Sequence, residues 1–349
     1  MGFTLTKNMK TAIGFNKQSA LQTGLAAGSL VRLAHTEASF AFPKFISDNN
    51  RDDFGTGSEF ATNTFPNRID FDFGYTARMT SLNTAILAAF GLGSVVKTAA
   101  GSGFQYVCTP LDPTVGDPDM PSTSICQQLD ESSGHAIDIL NVGCCVEQFG
   151  LSLKNGTGRD TSTVTGQFVG CGKHAKPSGI TIPAAATEHG MNLGTVTTLS
   201  VRSVNYITNR LFVDCDLTYK NNIQLDLGFY PGSGSQNGFA LRGRMLKGQP
   251  DLTFGMTVFL NKDSTELADY LAQTEGTIQI VQVGDVIGAG PETHKVQIDV
   301  PRMKFVAYDV QSVGMYTAVK TQCEVLQPNS GSAITVTVIT DHDGIMQAA

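Results

Sequence analysis

The sequence predicts a mainly β chain of two tandem β-sandwich or barrel units, each with a short flanking α-helix. Three observations carry that prediction. Among 349 residues 37 are Gly and only 16% are charged, a composition that favours strands and tight turns over helical bundles. Runs such as "GFQYVCTP", "GTIQIVQVG" and "SAITVTVIT" have the short, β-branched character of strands. Finally, "IDFDFGYTARM" (69–79) returns as "PDLTFGMTVFL" (250–260), with Asp70, Phe73, Gly74 and Thr76 matched by Asp251, Phe254, Gly255 and Thr257. A repeat of this kind constrains the whole architecture.

Residues 1–30 read as an arm, followed by the strand-like "GSLVRLAH" and a long connection over 41–66. After the first repeated strand comes "SLNTAILAAFG", where Leu82 and Ile86 lie one helical turn apart and Gly91 suits a helix stop. Its counterpart, "TELADYLAQTEG", places Leu267 and Leu271 alike, and Asp263 with Glu266 resembles a capping box. Strands resume in the first copy as "GFQYVCTP", a long excursion over 108–138, "CCVEQFGLSLKN" and "STVTGQFVGCG". In the second they are "GTIQIVQVG", "HKVQIDVPRMKFVAYDV" and "MYTAVKTQCEVL". Asn155-Gly156 reads as a hairpin turn. The resulting organisation is an arm (1–30), a first β domain (31–176), a linker (177–197), a second β domain (198–326), and a C-terminal strand and tail (327–349). A further long connection occupies 229–249, and connections of this length point to interfaces or function.

In the strand "DTSTVTGQFVGCG" the two-residue period puts Val164, Gly166, Phe168 and Gly170 on one face. That face is expected to pack on the core. Thr163, Thr165, Gln167 and Val169 make a second, uncharged face suited to a shared wall.

The net charge of −7 is concentrated in one segment. Between Thr98 and Leu153 there is no Lys or Arg, while Asp112, Asp117, Asp119, Asp130, Glu131, Asp138 and Glu147 supply seven acids. The rest of the chain is neutral, and no basic stripe of a nucleic-acid grip is present.

No catalytic constellation emerges. The seven cysteines form no CxxC pair and the N-terminus lacks an apolar secretion segment, so reduced, packed thiols are expected. Cys171 and His174 have no partner pair at a zinc-like spacing. "DHDG" (341–344) reads as a solvated turn of the tail, and the Gly-rich runs "GDVIGAG" and "GSGSQNG" lack a strand-to-helix context. The chain is therefore read as non-enzymatic, without cofactor or metal. No stretch approaches the length of a membrane span, so no membrane anchor is expected.

The runs "LNTAILAAFG", "VEQFGLSLKNGTGRDTSTVTGQFVGCG", "ADYLAQTEGTIQIV" and "HKVQIDVPRMKFVAYDV" resemble the tail tube proteins (major tail proteins) of long-tailed bacteriophages, over roughly 68–326. The resemblance implies two tube-type domains whose inner strands join those of neighbours into a continuous barrel, in rings that stack. It implies a virion tail protein assembled in the bacterial host cytoplasm, with tape-measure and tail-end proteins as partners and DNA passing the lumen without specific binding. The acid-rich segment is then a candidate lumen wall or inter-ring loop, and Thr163, Thr165, Gln167 and Val169 a candidate wall strand. Duplication favours a ring of three chains with pseudo-sixfold symmetry; six chains remain open. Another tubular tail or baseplate component, or the inner tube of a contractile injection system, is a second reading. A carbohydrate-binding β-sandwich is a third, weakened by the absence of Trp.

Overall fold

The computed structural model of the chain describes residues 8–32, 37–38, 42–49, 64–112, 119–131, 134–154, 162–170, 173–175, 182–187, 189–202, 204–206, 211–229, 235–236 and 239–347. Among the described residues strand accounts for 59% and helix for 9%, so the molecule is mainly β. The first half runs β1 (Asn8–Gly14), β2 (Leu30–Arg32), β3 (Glu37–Ala38), β4 (Lys44–Asn49), β5 (Thr64–Asp70), β6 (Asp72–Arg78) and α1 (Ser81–Leu92). It continues with β7 (Gly93–Ala100), β8 (Gly103–Pro110), β9 (Thr123–Glu131), β10 (Gly134–Lys154), β11 (Ser162–Val169) and β12 (Lys173–Ala175). The second half holds β13 (Val196–Val201), β14 (Val204–Asn205), β15 (Phe212–Lys220), β16 (Ser235–Gln236), β17 (Phe239–Ala240), β18 (Asp251–Phe259) and α2 (Glu266–Leu271). It closes with β19 (Gly276–Val286), β20 (Thr293–Val313), β21 (Tyr316–Val325) and β22 (Thr335–Thr340).

The repeat legible in four matched residues extends through the ladders. β10 and β20 are both 21 residues long. Each pairs along its first part with the strand before it, β9 or β19, and with a later strand, β12 or β22. Each then pairs along its second part with the strand that follows, β11 or β21. A bulge interrupts that second ladder between Val146 and Gln148 in one copy and between Phe305 and Ala307 in the other, the same place in both strands. Registers agree as well: Phe73 faces Phe168 and Gly74 faces Gln167 in the first copy, while Phe254 faces Cys323 and Gly255 faces Gln322 in the second. Bulges pin register by leaving one residue unpaired, so their recurrence is a strong mark of a common template.

The two copies share one sheet. Its order is β3, β6, β11, the C-terminal half of β10, β15, β18, β21 and the C-terminal half of β20, antiparallel throughout. The ladder joining β10 to β15, from Gln148 opposite Lys220 to Lys154 opposite Asp214, crosses from one copy to the other. The eighteen strands of this sheet and its branches form one barrel-like network. Its described ladders join as branches, with β3 paired only to β6 and the C-terminal half of β20 only to β21. β4, β5, β16 and β17 form a separate small sheet.

α1 lies between layers. Thr80 caps it by accepting from the Asn83 amide at 3.0 Å, and Gly93, at φ 92°, ends it in the left-handed region that glycine adopts without strain. The expected stop at Gly91 is thus two residues early. Gly91 sits inside the helix, where a Cβ would lie 2.9 Å from the Cβ of Phe149. All twelve residues are buried, against β10 and β11 on one side and β8, β20 and β22 on the other. α2 is half as long, and Thr265 rather than Asp263 precedes it. Glu266 accepts from the Tyr206 hydroxyl at 3.0 Å.

Three further expectations change. Residues 8–30 are not an arm: β1 pairs with β9 from Asn8 opposite Asp130 to Ile13 opposite Ile125, and Ala12, Ile13, Leu25 and Leu30 are buried. Residues 1–7 lie outside the described residues. The excursion over 108–138 contains β9 and the start of β10. The C-terminal tail is packed: β22 joins β20 and β8, Ile345 is fully buried, and Tyr106 donates to the His342 carbonyl at 3.0 Å. The hairpin turn at Asn155 lies outside the described residues.

Candidate assembly surface

One face of the eight-stranded sheet packs on the core and the other is polar, the pattern of an antiparallel sheet with one side in water. β11 illustrates the division. Val164 and Phe168 are fully buried, and at Gly166 a Cβ would lie 2.6 Å from Leu87 of α1. Thr163, Thr165 and Gln167 point the other way and are partly exposed. Val169 departs from the expectation: it is 5% exposed, packed with Met120, Cys145, Ile223 and Met245. The segment after β15 covers this end of the strand and removes it from any surface.

Directly opposed residues share a face, and the ladders extend the β11 face into rows across the sheet. One row reads Thr76, Thr165, Gly150, Thr218, Thr253, Glu324, Lys304. The next reads Arg78, Thr163, Ser152, Asp216, Gly255, Gln322, Ala307. Lysines on this face stand opposite carboxylates: Lys154 faces Asp214, Lys220 faces Asp251, Lys304 faces Glu324, and Lys320 faces Asp309. The Lys304 ammonium is 3.2 Å from Glu324. Cross-strand pairs of opposite sign are mildly stabilising, and here they also leave the face without a stripe of uncompensated positive charge. The residues of β10, β15, β18 and β21 in these rows were not legible as one surface, because only register brings them together.

Of the seven acids expected to form a wall or loop, the described ones have differing surroundings. Asp112 is exposed after β8, and Asp117 lies outside the described residues. Asp119 accepts from Arg244 Nε at 2.8 Å. Asp130 and Glu131 end β9, and Asp138 accepts from Gln128 at 3.0 Å. Glu147 occupies the β10 bulge, where burial raises its carboxyl above the usual range although it accepts from the Ile223 amide at 2.8 Å. Asp119 and Glu147 hold the segment after β15 in place, a structural role.

Cys108, Cys126, Cys144, Cys145, Cys215 and Cys323 are buried, and burial pushes the Cys108, Cys126 and Cys323 thiols up to about 12, which keeps them protonated and unreactive. Cys171 lies outside the described residues. His174 packs its ring edge to face on Phe45 at 5.2 Å. His189, His294 and Asp341 bring donor atoms within 4.8 Å of one another. The two imidazoles are stacked, with centroids 4.0 Å apart and planes 17° from parallel, so their in-plane lone pairs run side by side rather than converging on an ion. Ser81 Oγ lies 2.8 Å from His294 Nδ1. Burial, with His189 adjacent, holds His294 below the usual imidazole range.

Among the described residues no helix is long and apolar enough to cross a membrane. Comparison with protein-family models and with curated proteins finds no match for this chain.

Proposed function

We propose that this chain is a structural virion protein that assembles head to tail into stacked rings, forming the hollow tail tube through which phage DNA passes. The observation that carries this reading is the β10 to β15 ladder, in which the edge strand of one copy's part of the sheet pairs with the edge strand of the other's. A chain whose two copies meet edge to edge, and whose outer edges β3 and β20 are unpaired in the described ladders, is built to continue the same contact with further copies. Open edges are sticky unless closed, and a heterologous contact that repeats by rotation closes into a ring.

Strand spacing separates three chains from six. Three chains contribute twenty-four strands, and at ~4.8 Å per strand the wall has a backbone diameter of about 37 Å before tilt widens it, against about 73 Å for six. The narrower ring still exceeds the width of a duplex, so three chains are favoured. The polar face then lines the lumen. Its lysines are matched by carboxylates, which denies DNA the counterion release that drives phosphate binding. Tape-measure and tail-end proteins are the partners this role requires, and the virion tail is its location.

Negative-stain microscopy of the purified protein tests the reading. Hollow tubes with an open lumen are expected, and a protein that stays monomeric across concentration and ionic strength contradicts it. A single closed ring that never stacks instead favours a terminal tail or baseplate component.

A further inference from the structure

The internal junction also specifies the contact between chains, strand by strand. We infer that the C-terminal half of β20, with the outer face of α2, binds β3 (Glu37–Ala38) and the covering sheet of a second copy, in the register of the β10 to β15 ladder. The inference rests on the head-to-tail reading above and adds its register and its second contact.

The register follows from equivalence. Glu37 and Ala38 of β3 face Thr76 and Tyr75 of β6, as Asp214 and Cys215 of β15 face Thr257 and Met256 of β18. β3 therefore stands where the start of β15 stands, and β20 stands where β10 does. In the internal junction Leu153 faces Cys215 and Lys154 faces Asp214. Transferred to the open edge, Ser312 faces Ala38 of the second copy and Val313 faces Glu37.

Burial supplies the second contact. In the first copy Leu82 and Ile86 of α1 are 8% and 0% exposed, and Phe149 and Leu151 of β10 are 0% and 2%. Their counterparts in the second copy are Leu267 at 46%, Leu271 at 71%, a partly exposed Tyr308, and Val310 at 62%. The residue types are alike and the exposure is not, because α1 is roofed by β20 and β22 of the other copy whereas α2 contacts β20 alone among the principal element contacts. The equivalent roof over α2 is the first half of β10 with β12, taken from the next chain. Continuity with the internal junction thus names the occupant of this apolar surface as a second copy.

Engineered disulfides test the register. Directly opposed residues of an antiparallel pair have Cα atoms about 4.5–5.5 Å apart, within disulfide range. S312C with A38C is expected to cross-link between chains on mild oxidation, up to a covalently closed ring. K304C with A38C, eight residues or ~26 Å along β20 from Ser312, is expected not to. The six described native cysteines are buried and do not compete. L271D, at a position exposed in the single chain, is expected to leave the melting temperature of the monomer unchanged and to raise the concentration needed for assembly at least tenfold. Tubes that form without the S312C–A38C cross-link, or assembly indifferent to L271D, overturn this inference and leave the tube reading standing. Cross-linked closed rings that never stack support the junction and overturn the tube. A protein that never self-associates overturns both.

Discussion

Asp70, one of the four residues that first disclosed the repeat, has a structural task. It accepts from Arg242 Nη2 at 3.2 Å and from Arg68 Nε at 3.1 Å, and the Arg242 side chain has no exposure, lying over the Phe229 ring at 4.7 Å. Removing one partner of a buried pair strands the other charge, at a cost of about 3–5 kcal/mol. D70A is therefore expected to lower the denaturation midpoint steeply in chemical unfolding, and a change below about 1 kcal/mol would show the pair to be surface-like. On the polar face carboxylates offset the lysines opposite them. Replacing Asp214, Asp251 and Glu324 by their amides uncovers three lysines, Lys154, Lys220 and Lys304. Assembled tubes of that variant are expected to retain duplex DNA at low salt and release it as salt rises, each phosphate contact contributing a slope of about −0.9 in log affinity against log salt. Retention equal to that of the parent tubes would place this face outside the lumen.

Among the elements, β1 departs furthest from its sequence reading. "NMKTAIG" has no clean alternation, and its partner strand lies over a hundred residues away, at Ile13 opposite Ile125, so local pattern could not disclose it. Deleting residues 8–32 is expected to abolish the cooperative thermal transition, because it exposes the β9 edge and removes Ala12, Ile13, Leu25 and Leu30 from the core. A folded truncation that merely stacks poorly would restore the arm. β9 was missed for a related reason: Gln127 and Gln128 are buried at 0% and 1%, satisfied by Thr11 and Asp138, and buried amides disguise a strand. β11, by contrast, was legible because its period of two matches one buried and one wet face. Val169 escaped that logic because a distant segment covers it. α1 was legible from Leu82 and Ile86, while its full burial depended on β20 and β22 from the other half of the chain.

Over the whole molecule, the duplication organises everything else. Matching bulges, matching registers and strands of equal length make the chain two positions of a repeating sheet, and its internal ladder a worked example of the contact between positions. Composition and repeat made the β class legible; the sharing of one sheet by both copies was not, since nothing local in "FVDCDLTYK" (212–220) says that it lies beside β10. The most direct measurement is a cryo-electron-microscopy map of the assembled protein at a resolution that separates strands. The account predicts an inner wall of twenty-four strands from three chains, with β20 of each chain beside β3 of the next and the threonine row facing the lumen. A wall from six chains, or contacts between chains that leave the β20 edge unpaired, would contradict it.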